Sequence, residues 1–316
     1  VVSLNPVRWS RPVKLVVAFA TLYVVWGSTY LAIKIGLNAG LPPAAFAGMR
    51  LMPAGLILLG IARLRGVPLR MRRRDFATVV SVGLFLLVGG MFTMFLAETS
   101  VPSGLAALLV AALPLWIALA ESALPGMERP SALGVVGLLV GLTGLGVLMY
   151  PRLTGMTGSR AQLGGIAVLL LGTWLWTTGS VLSKKRPVRA DAMVATGYEM
   201  LAAGLVLCGI ATAVGDWGRV SLSPAGVGAL LYLILFGSVM AFTAFVWALR
   251  NAPASKVMTY AYVNPVIAAV LGWLVLGEKL DAWTLTGMVV IVAGVALTTS
   301  APTRPAREPK GSVARA

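Results

Sequence analysis

Apolar runs, each about as long as a bilayer-crossing helix needs, alternate with short polar stretches along the whole chain. Ten such runs are predicted. They lie at roughly 14–37, 44–62, 76–97, 104–122 and 131–150, then at 163–183, 192–214, 224–249, 256–276 and 283–300. Turn residues separate them: Pro42-Pro43, Pro102-Ser103-Gly104, Pro151 with Gly155 and Gly158, Pro253, and Gly277. The first run is longer than the apolar core of a secretory signal and no A-x-A site follows it, so it is expected to stay as the first helix. The tail from Ala301, with three prolines and mixed charge, reads as disordered over 301–316.

Composition narrows the fold class to an all-α polytopic membrane protein. Hydrophobic residues make up 58% of the 316 positions, charged residues only 11%, and the mean hydropathy is +0.89. A water-facing surface of ordinary composition cannot be built from that mixture. Ten helices of about 20 residues leave only short connections, with no room for a folded soluble domain. The absent residues exclude chemistry as well. With no histidine, Ser-His and Cys-His catalysis, the HExxH zinc site and histidine ligation of haem are ruled out. The single Cys208 sits in an apolar run and reads as a small hydrophobe. No GxxxxGK[ST] motif is present, so this sequence hydrolyses no ATP, and no cofactor is expected.

The net charge of +16 carries topology rather than a nucleic-acid partner, because the cations fall on alternate connections. Twenty of the 26 Lys and Arg lie in the N-terminal segment, the 63–75 loop, at Arg129, in 184–189, at Arg250 and Lys256, and in the tail. Four lie on the opposite set of connections, and Lys34 and Arg50 fall inside predicted helices. This distribution predicts both termini in the cytoplasm and no nucleic-acid binding.

The two halves also match each other. At an offset of 150, Trp26 meets Trp176, Lys34 meets Lys184, and Phe92, Thr93 and Phe95 meet Phe242, Thr243 and Phe245. At 149, Gly48, Gly55 and Gly60 meet Gly197, Gly204 and Gly209; at 151, Pro102, Pro114 and Gly126 meet Pro253, Pro265 and Gly277. The reading is a duplicated five-helix unit, 14–150 and 163–300. Because five is odd, the second copy enters the bilayer from the other side, giving two inverted repeats. Such repeats let one fold exchange inward and outward openings around a midplane site, which points to a transporter.

A charged side chain at mid-bilayer costs about 2.5–3.5 kcal/mol on insertion scales, so the buried polar residues are the candidate chemistry. Tyr23, Trp26, Tyr30 and Lys34 form one stripe of the first helix; Thr173, Trp176, Thr177, Ser180 and Lys184 form another on the sixth. Aromatic stripes of this kind also serve ordinary helix packing. Tyr260 and Asn264 stand one turn apart in the ninth run, where Pro265 frees a backbone carbonyl, and Pro114 occupies the matching place in the fourth. Arg50 lies about 9 Å from one end of its helix and Glu199 about 10 Å from the other end of its own. In a core about 30 Å thick they stay roughly 10 Å apart in depth, which argues against a direct pair. Glu98 is the expected partner of Arg50 or Lys34, and Glu199 is expected to face Lys184, Lys256 or a cavity as binding group or proton carrier. Glu121 reads as interfacial. Gly134, Gly137, Gly141 and Gly144 give the fifth helix a small-residue face suited to packing or to a homodimer.

These residues carry a family resemblance. Trp26-Gly-Ser-Thr-Tyr30 with Lys34, Arg50 in Gly-Met-Arg-Leu, Ala97-Glu98 followed by Val101-Pro-Ser-Gly104, Glu199-Met-Leu-Ala-Ala-Gly204, and Tyr260-Ala-Tyr-Val-Asn-Pro265 followed by Gly277-Glu278 resemble the EamA-domain family of the drug/metabolite transporter superfamily. Within it the chain is most similar to the YedA-type inner-membrane exporters. The resemblance implies a basket of ten helices with a central cavity, the fifth and tenth helices standing outside as scaffold. It further implies export of amino acids, related metabolites or toxic compounds from the bacterial cytoplasm. By that analogy Trp26, Tyr30, Arg50, Glu98, Trp176, Glu199, Tyr260 and Asn264 contribute to the cavity or its gates, with Pro114 and Pro265 as kinks. The expected partners are a small-molecule substrate, the lipid bilayer and a coupling proton. A channel or solute-sensing receptor is the alternative, and an intramembrane enzyme built on Ser180 or Ser183 with Lys184 is a more distant one, lacking any oxyanion architecture.

Overall fold

The computed structural model describes residues 10–97, 99–101, 109–111, 113–125, 127–153, 159–276 and 281–304. Among these the chain is mostly helical. In order come α1 (Arg11–Asn38), α2 (Pro43–Leu64), α3 (Arg73–Ala97), α4 (Leu113–Ala123) and α5 (Ala132–Leu153). Then follow α6 (Arg160–Lys185), α7 (Ala192–Ala213), α8 (Pro224–Asn251), α9 (Tyr260–Leu276) and α10 (Ala282–Ser300). Eight of them are long and apolar enough to cross a membrane, and α4 is a shorter apolar helix. Large apolar side chains such as Val16, Leu56, Leu163, Leu205 and Val289 are exposed on the outside. That is the surface of a polytopic membrane protein, since lipid rather than water must cover it.

Helix ends are set by local chemistry. Ser131 Oγ accepts from the Gly134 amide at the start of α5 (3.2 Å), and Asp281 accepts from the Thr284 amide at the start of α10 (2.7 Å). Ser159, Asp191 and Ser223 cap α6, α7 and α8 in the same way. Beyond α2 and α7 the chain turns through Gly66 and Gly215, both at φ +71°, a left-handed turn that a side chain would strain. Three helices contain a π-helical stretch, Leu22–Trp26 in α1, Leu84–Met91 in α3 and Leu233–Met240 in α8. Each widens the backbone spiral by a residue and re-aims its carbonyls and side chains.

Glycines let the helices pack backbone to backbone. Along α2 and α7 rising residue numbers meet falling ones, so the pair is antiparallel. A Cβ on Gly55 would lie 2.8 Å from the Gly197 carbonyl oxygen, and one on Gly204 would lie 2.9 Å from the Met52 nitrogen. The pair α5 and α10 is also antiparallel: a Cβ on Gly137 would lie 2.9 Å from the Gly294 oxygen and one on Gly144 would lie 2.6 Å from the Ile291 nitrogen. Gly141 is covered by the Tyr262 ring of α9 as well. The small-residue face, expected to serve packing or a homodimer, is filled within the chain at Gly137, Gly141 and Gly144.

The connections sort into two ends. At one end Arg11 Nη2 donates to the Asn251 carbonyl (2.9 Å), Arg250 Nη1 to the Ala190 carbonyl (3.0 Å) and Lys256 Nζ to the Thr299 carbonyl (2.7 Å). Arg70 and Arg72 share a surface hollow with Arg189 there. At the other end the Ser221 amide donates to the Gly40 carbonyl (3.1 Å), and Asp216 accepts from the Ala45 amide and pairs with Arg219. Two expectations need correction at the basic end. Residues Thr303–Arg304 (β2) pair antiparallel with Arg129–Pro130 (β1), so the tail is ordered to that point; residues from 305 lie outside the described set. Glu121 is not interfacial but 1% exposed, its carboxylate accepting from the backbone amides of Ala254 (2.8 Å) and Ser255 (3.3 Å) at the start of the helical turn Ala254–Val257.

Candidate functional site

A cavity of about 90 Å³ opens where α1, α2, α3, α4, α6, α8 and α9 converge. Its aromatic wall is a cluster drawn from four helices. The Trp26 ring lies 4.8 Å from Tyr260, 5.2 Å from Phe245 and 5.9 Å from Trp176, and Trp176 lies 5.5 Å from Phe245. Edge and tilted contacts at these spacings are the favoured aromatic arrangements, and they hold the rings as one rigid surface. Glycines set how close the rings come. A Cβ on Gly90 of α3 would meet Trp176, and one on Gly27 of α1 would lie 2.7 Å from Ile267 Cβ on α9. The aliphatic part of the lining includes Ile33, Leu87, Met91, Met94 and Leu169.

Polar groups are few and individually placed. Trp26 Nε1 donates to the Gly237 carbonyl (3.1 Å) and Arg50 Nε donates to Ser238 Oγ (2.8 Å), both acceptors lying in the π-helical stretch of α8. Arg50 is 5% exposed, and no carboxylate pairs with it among the described residues. Gly237 leaves it room, since a Cβ there would lie 3.1 Å from Arg50 Nη2. Asn264 Oδ1 is buried and has no hydrogen-bond partner. Trp176 Nε1 is also unpartnered in hydrogen-bonding geometry, with the Tyr260 hydroxyl beside it. On the side of the basic end the cavity is bordered by the aromatic cluster, beyond which the Tyr23 hydroxyl shares a hydrogen bond with Thr259 Oγ1 (2.7 Å). The Glu121 contacts to Ala254 and Ser255 fasten the same region.

Of the residues singled out from the sequence, Trp26, Tyr30, Arg50, Trp176, Tyr260 and Asn264 meet in this cavity. Glu98 lies outside the described residues, as does Gly277-Glu278. Glu199 does not line the cavity. It packs against α3, where a Cβ on Gly83 would lie 2.7 Å from its Cα, and the basic group acting on it is Arg250 rather than Lys184 or Lys256. Its Oε2 and the Thr196 Oγ1 one turn earlier are both buried without partners. Lys184 acts on Glu121 instead. Ser180 Oγ is fully buried and donates to the Trp176 carbonyl (2.8 Å), so it offers no nucleophile. Pro114 stands in the first turn of α4, just after a turn at Ala111, whereas α9 continues through Pro265. Phe242, Phe245, Gly237 and Ser238 were missed as site residues. Phe242 and Phe245 carried a signal in their match to Phe92 and Phe95, while nothing in the sequence marks the π-helical stretches.

The chain's relatives agree with this architecture. The model of the EamA-like transporter family matches residues 14–150 and again 163–300. The chain belongs to the EamA-like transporter family. Family membership makes it a membrane transporter rather than an enzyme. An uncharacterized inner membrane transporter YedA of Escherichia coli (strain K12) is 36% identical over 293 residues, covering 92% of each chain. A WAT1-related chloroplastic protein of Arabidopsis thaliana is 29% identical over 87% of this EamA-like chain and 67% of its own length. A solved structure 22% identical in sequence superposes with a TM-score of 0.76, covering 92% of this chain and 97% of its own, and so shares the fold.

Proposed function

We propose that the protein is a secondary exporter of small amphipathic solutes, amino acids or their analogues, across the bacterial inner membrane by alternating access. The observation that carries this reading is the cavity itself: an aromatic wall interrupted by one guanidinium and two unpartnered polar atoms, enclosed by membrane-length helices. Rings hold the apolar part of a solute and the isolated polar groups orient its head, the composition expected of a small-molecule site.

In this reading all ten helices cross the bilayer as two inverted repeats of five, with both termini cytoplasmic. Paired features about 150 residues apart support it. The caps Ser131 and Asp281, the turns at Gly66 and Gly215, and the π-helical stretches Leu84–Met91 and Leu233–Met240 all recur at that spacing. Antiparallel packing of α2 on α7 and of α5 on α10 is what inverted copies require. The gathering of the basic connections at one end supports the cytoplasmic assignment of that end. Pro114 and Pro265 are then the flexible points of matched helices.

Energy comes from proton antiport, with Glu199 as the carrier. Its unpartnered Oε2, its burial and its nearness to Arg250 support that role. The test is counterflow of labelled neutral amino acids into proteoliposomes preloaded with an unlabelled panel. Saturable exchange absent from empty liposomes is expected, and large unitary currents would replace the carrier by a channel. Glu199→Gln abolishes pH-driven transport while sparing exchange; unchanged pH dependence removes Glu199 from the mechanism.

A further inference from the structure

The cavity has a charge of its own that restricts which amphipathic solutes it can hold. Arg50 is the one charged side chain among the described lining residues, and none of them is acidic. Its Nε is used by Ser238 Oγ, which is neutral, so the guanidinium charge has no counterion among the described residues. A cation kept out of water without an opposite charge is expensive, and the void beside it is where the compensating anion has room to enter. A guanidinium fork matches the two oxygens of a carboxylate and strengthens in a dry site. An ammonium group entering the same cavity meets no carboxylate among the described lining residues, only aromatic faces and the neutral oxygens of Thr29, Tyr30, Thr173, Tyr260 and Asn264.

Asn264 supplies the second specification. It is 2% exposed, it lines the same void, and its Oδ1 accepts from no group of the protein. A buried acceptor without a donor is a standing cost that a solute hydroxyl or N–H relieves. The Trp26, Trp176 and Phe242 rings make much of the remaining contact apolar, and the Thr29 and Thr173 hydroxyls already donate to carbonyls of their own helices.

We propose that this cavity selects organic monoanions: a carboxylate on Arg50, a hydroxyl or other neutral donor on Asn264 Oδ1, and an apolar or aromatic body against Trp26 and Trp176. The proposal rests on the transporter reading of the cavity and narrows it, ranking 2-hydroxy acids above the corresponding zwitterionic amino acids and both above amines. Three compounds with one frame separate the classes at pH 7: 3-phenyllactate (anion), phenylalanine (zwitterion) and phenylalaninol (cation).

Proteoliposomes preloaded with unlabelled 3-phenyllactate are given labelled 3-phenyllactate, and each of the three compounds is added outside as competitor. The expected result is saturable exchange, inhibition by phenylalanine at least about tenfold weaker than by 3-phenyllactate, and none by phenylalaninol. Arg50→Gln is expected to flatten that ranking, and Arg50→Lys to keep its order with weaker inhibition. The wild-type ranking needs no variant, so misfolding of Arg50→Gln leaves the test intact. Phenylalanine or phenylalaninol competing as well as 3-phenyllactate overturns the proposal and leaves the carrier standing. So does absence of 3-phenyllactate exchange in vesicles that counterflow amino acids, nucleosides or amines. If none of these solutes exchanges, the carrier reading falls and this proposal with it.

Discussion

The closest backbone approach between α5 and α10 makes Gly294→Ala the most direct test of the packing. A Cβ on Gly294 would lie 2.6 Å from Gly141 Cα and 2.8 Å from the Gly137 carbonyl oxygen, and the Gly141 nitrogen is a third neighbour. All three are backbone atoms that no rotamer change can clear. Ordinary contact requires the helices to separate by roughly 1 Å, and a gap of that size forfeits a quarter to a half of each neighbouring contact. Overpacking of this kind costs about 1–3 kcal/mol, and the rigid neighbours put Gly294→Ala at the upper end. Gly146, in α5, supplies the control, because a Cβ there meets nothing within 4 Å. Alanine at that position gains about 1 kcal/mol of helix propensity without a clash. The propensity gain applies to both variants and cancels, so they are expected to differ by the overpacking cost alone, about 1–3 kcal/mol. The assay is apparent melting of both purified variants in the same detergent at one scan rate, with Gly294→Ala melting lower by roughly 5 °C or more. Equal melting temperatures would refute the antiparallel glycine contact. Because α5 and α10 contribute no described residue to the cavity, half-saturation for transport should be unchanged in Gly146→Ala.

Two further outcomes follow from the basic end. Glu121→Gln keeps an acceptor for the Ala254 amide but turns an N–H toward the Ser255 amide, losing a bond to a charged acceptor worth about 1.5–3 kcal/mol. That is at least about tenfold in the ratio of access states. A cysteine placed in the cavity at Thr29, with Cys208 changed to serine, should then label faster with a maleimide supplied from the basic side; an unchanged rate speaks against Glu121 as a fastening point. Orientation has its own readout. A fluorescent protein fused after Arg304 should fold and glow in the cytoplasm, and an alkaline phosphatase at the same junction should be inactive; the reverse pattern inverts the topology.

The fold was legible because apolar runs of membrane length leave little choice: the predicted run 44–62 became Pro43–Leu64, and 283–300 became Ala282–Ser300. Six of the residues that helical phase and the family resemblance together pointed to, Trp26, Tyr30, Arg50, Trp176, Tyr260 and Asn264, line the cavity. What escaped lies in long-range pairing. Glu121 looks interfacial by position, and only folding brings it to amides 133 and 134 residues away. Arg50 meets Ser238 across 188 residues, through a π-helical stretch whose apolar sequence resembles any other membrane helix. Glu199, by its depth, was expected to face Lys184, Lys256 or the cavity, but α7 turns it toward α3 and α8, where Arg250 stands. The small-residue face of α5 was read correctly as a packing face, but which helix would fill it depends on which way α10 runs.

The match between the two halves does not make the two ends equivalent. Trp26 and Trp176 occupy matched positions, yet the first indole N–H is tied to the Gly237 carbonyl while the second has only the Tyr260 hydroxyl beside it, out of hydrogen-bonding geometry. Arg50 faces the cavity, while Glu199, its counterpart one residue off the exact match, is packed against Gly83. The fastenings differ in the same sense. Tyr23 closes on Thr259, but the position 150 residues after Tyr23 is Thr173, too short to span the same gap. Glu121 closes on Ala254 and Ser255, but the positions 150 and 151 residues after it are Leu271 and Gly272, with no acceptor to offer. The other end has a carboxylate contact of its own, Asp216 on the Ala45 amide, but it is longer at 3.4 Å and comes from the connection between α7 and α8, whereas Tyr23 and Glu121 reach from within helices to the segment around 254–259. Under alternating access each of these two contacts stabilises the state shut at the basic end, and every 1.4 kcal/mol so contributed is about tenfold in population. A solute arriving from the basic side must therefore first displace Tyr23 from Thr259 and the carboxylate of Glu121 from its two amides.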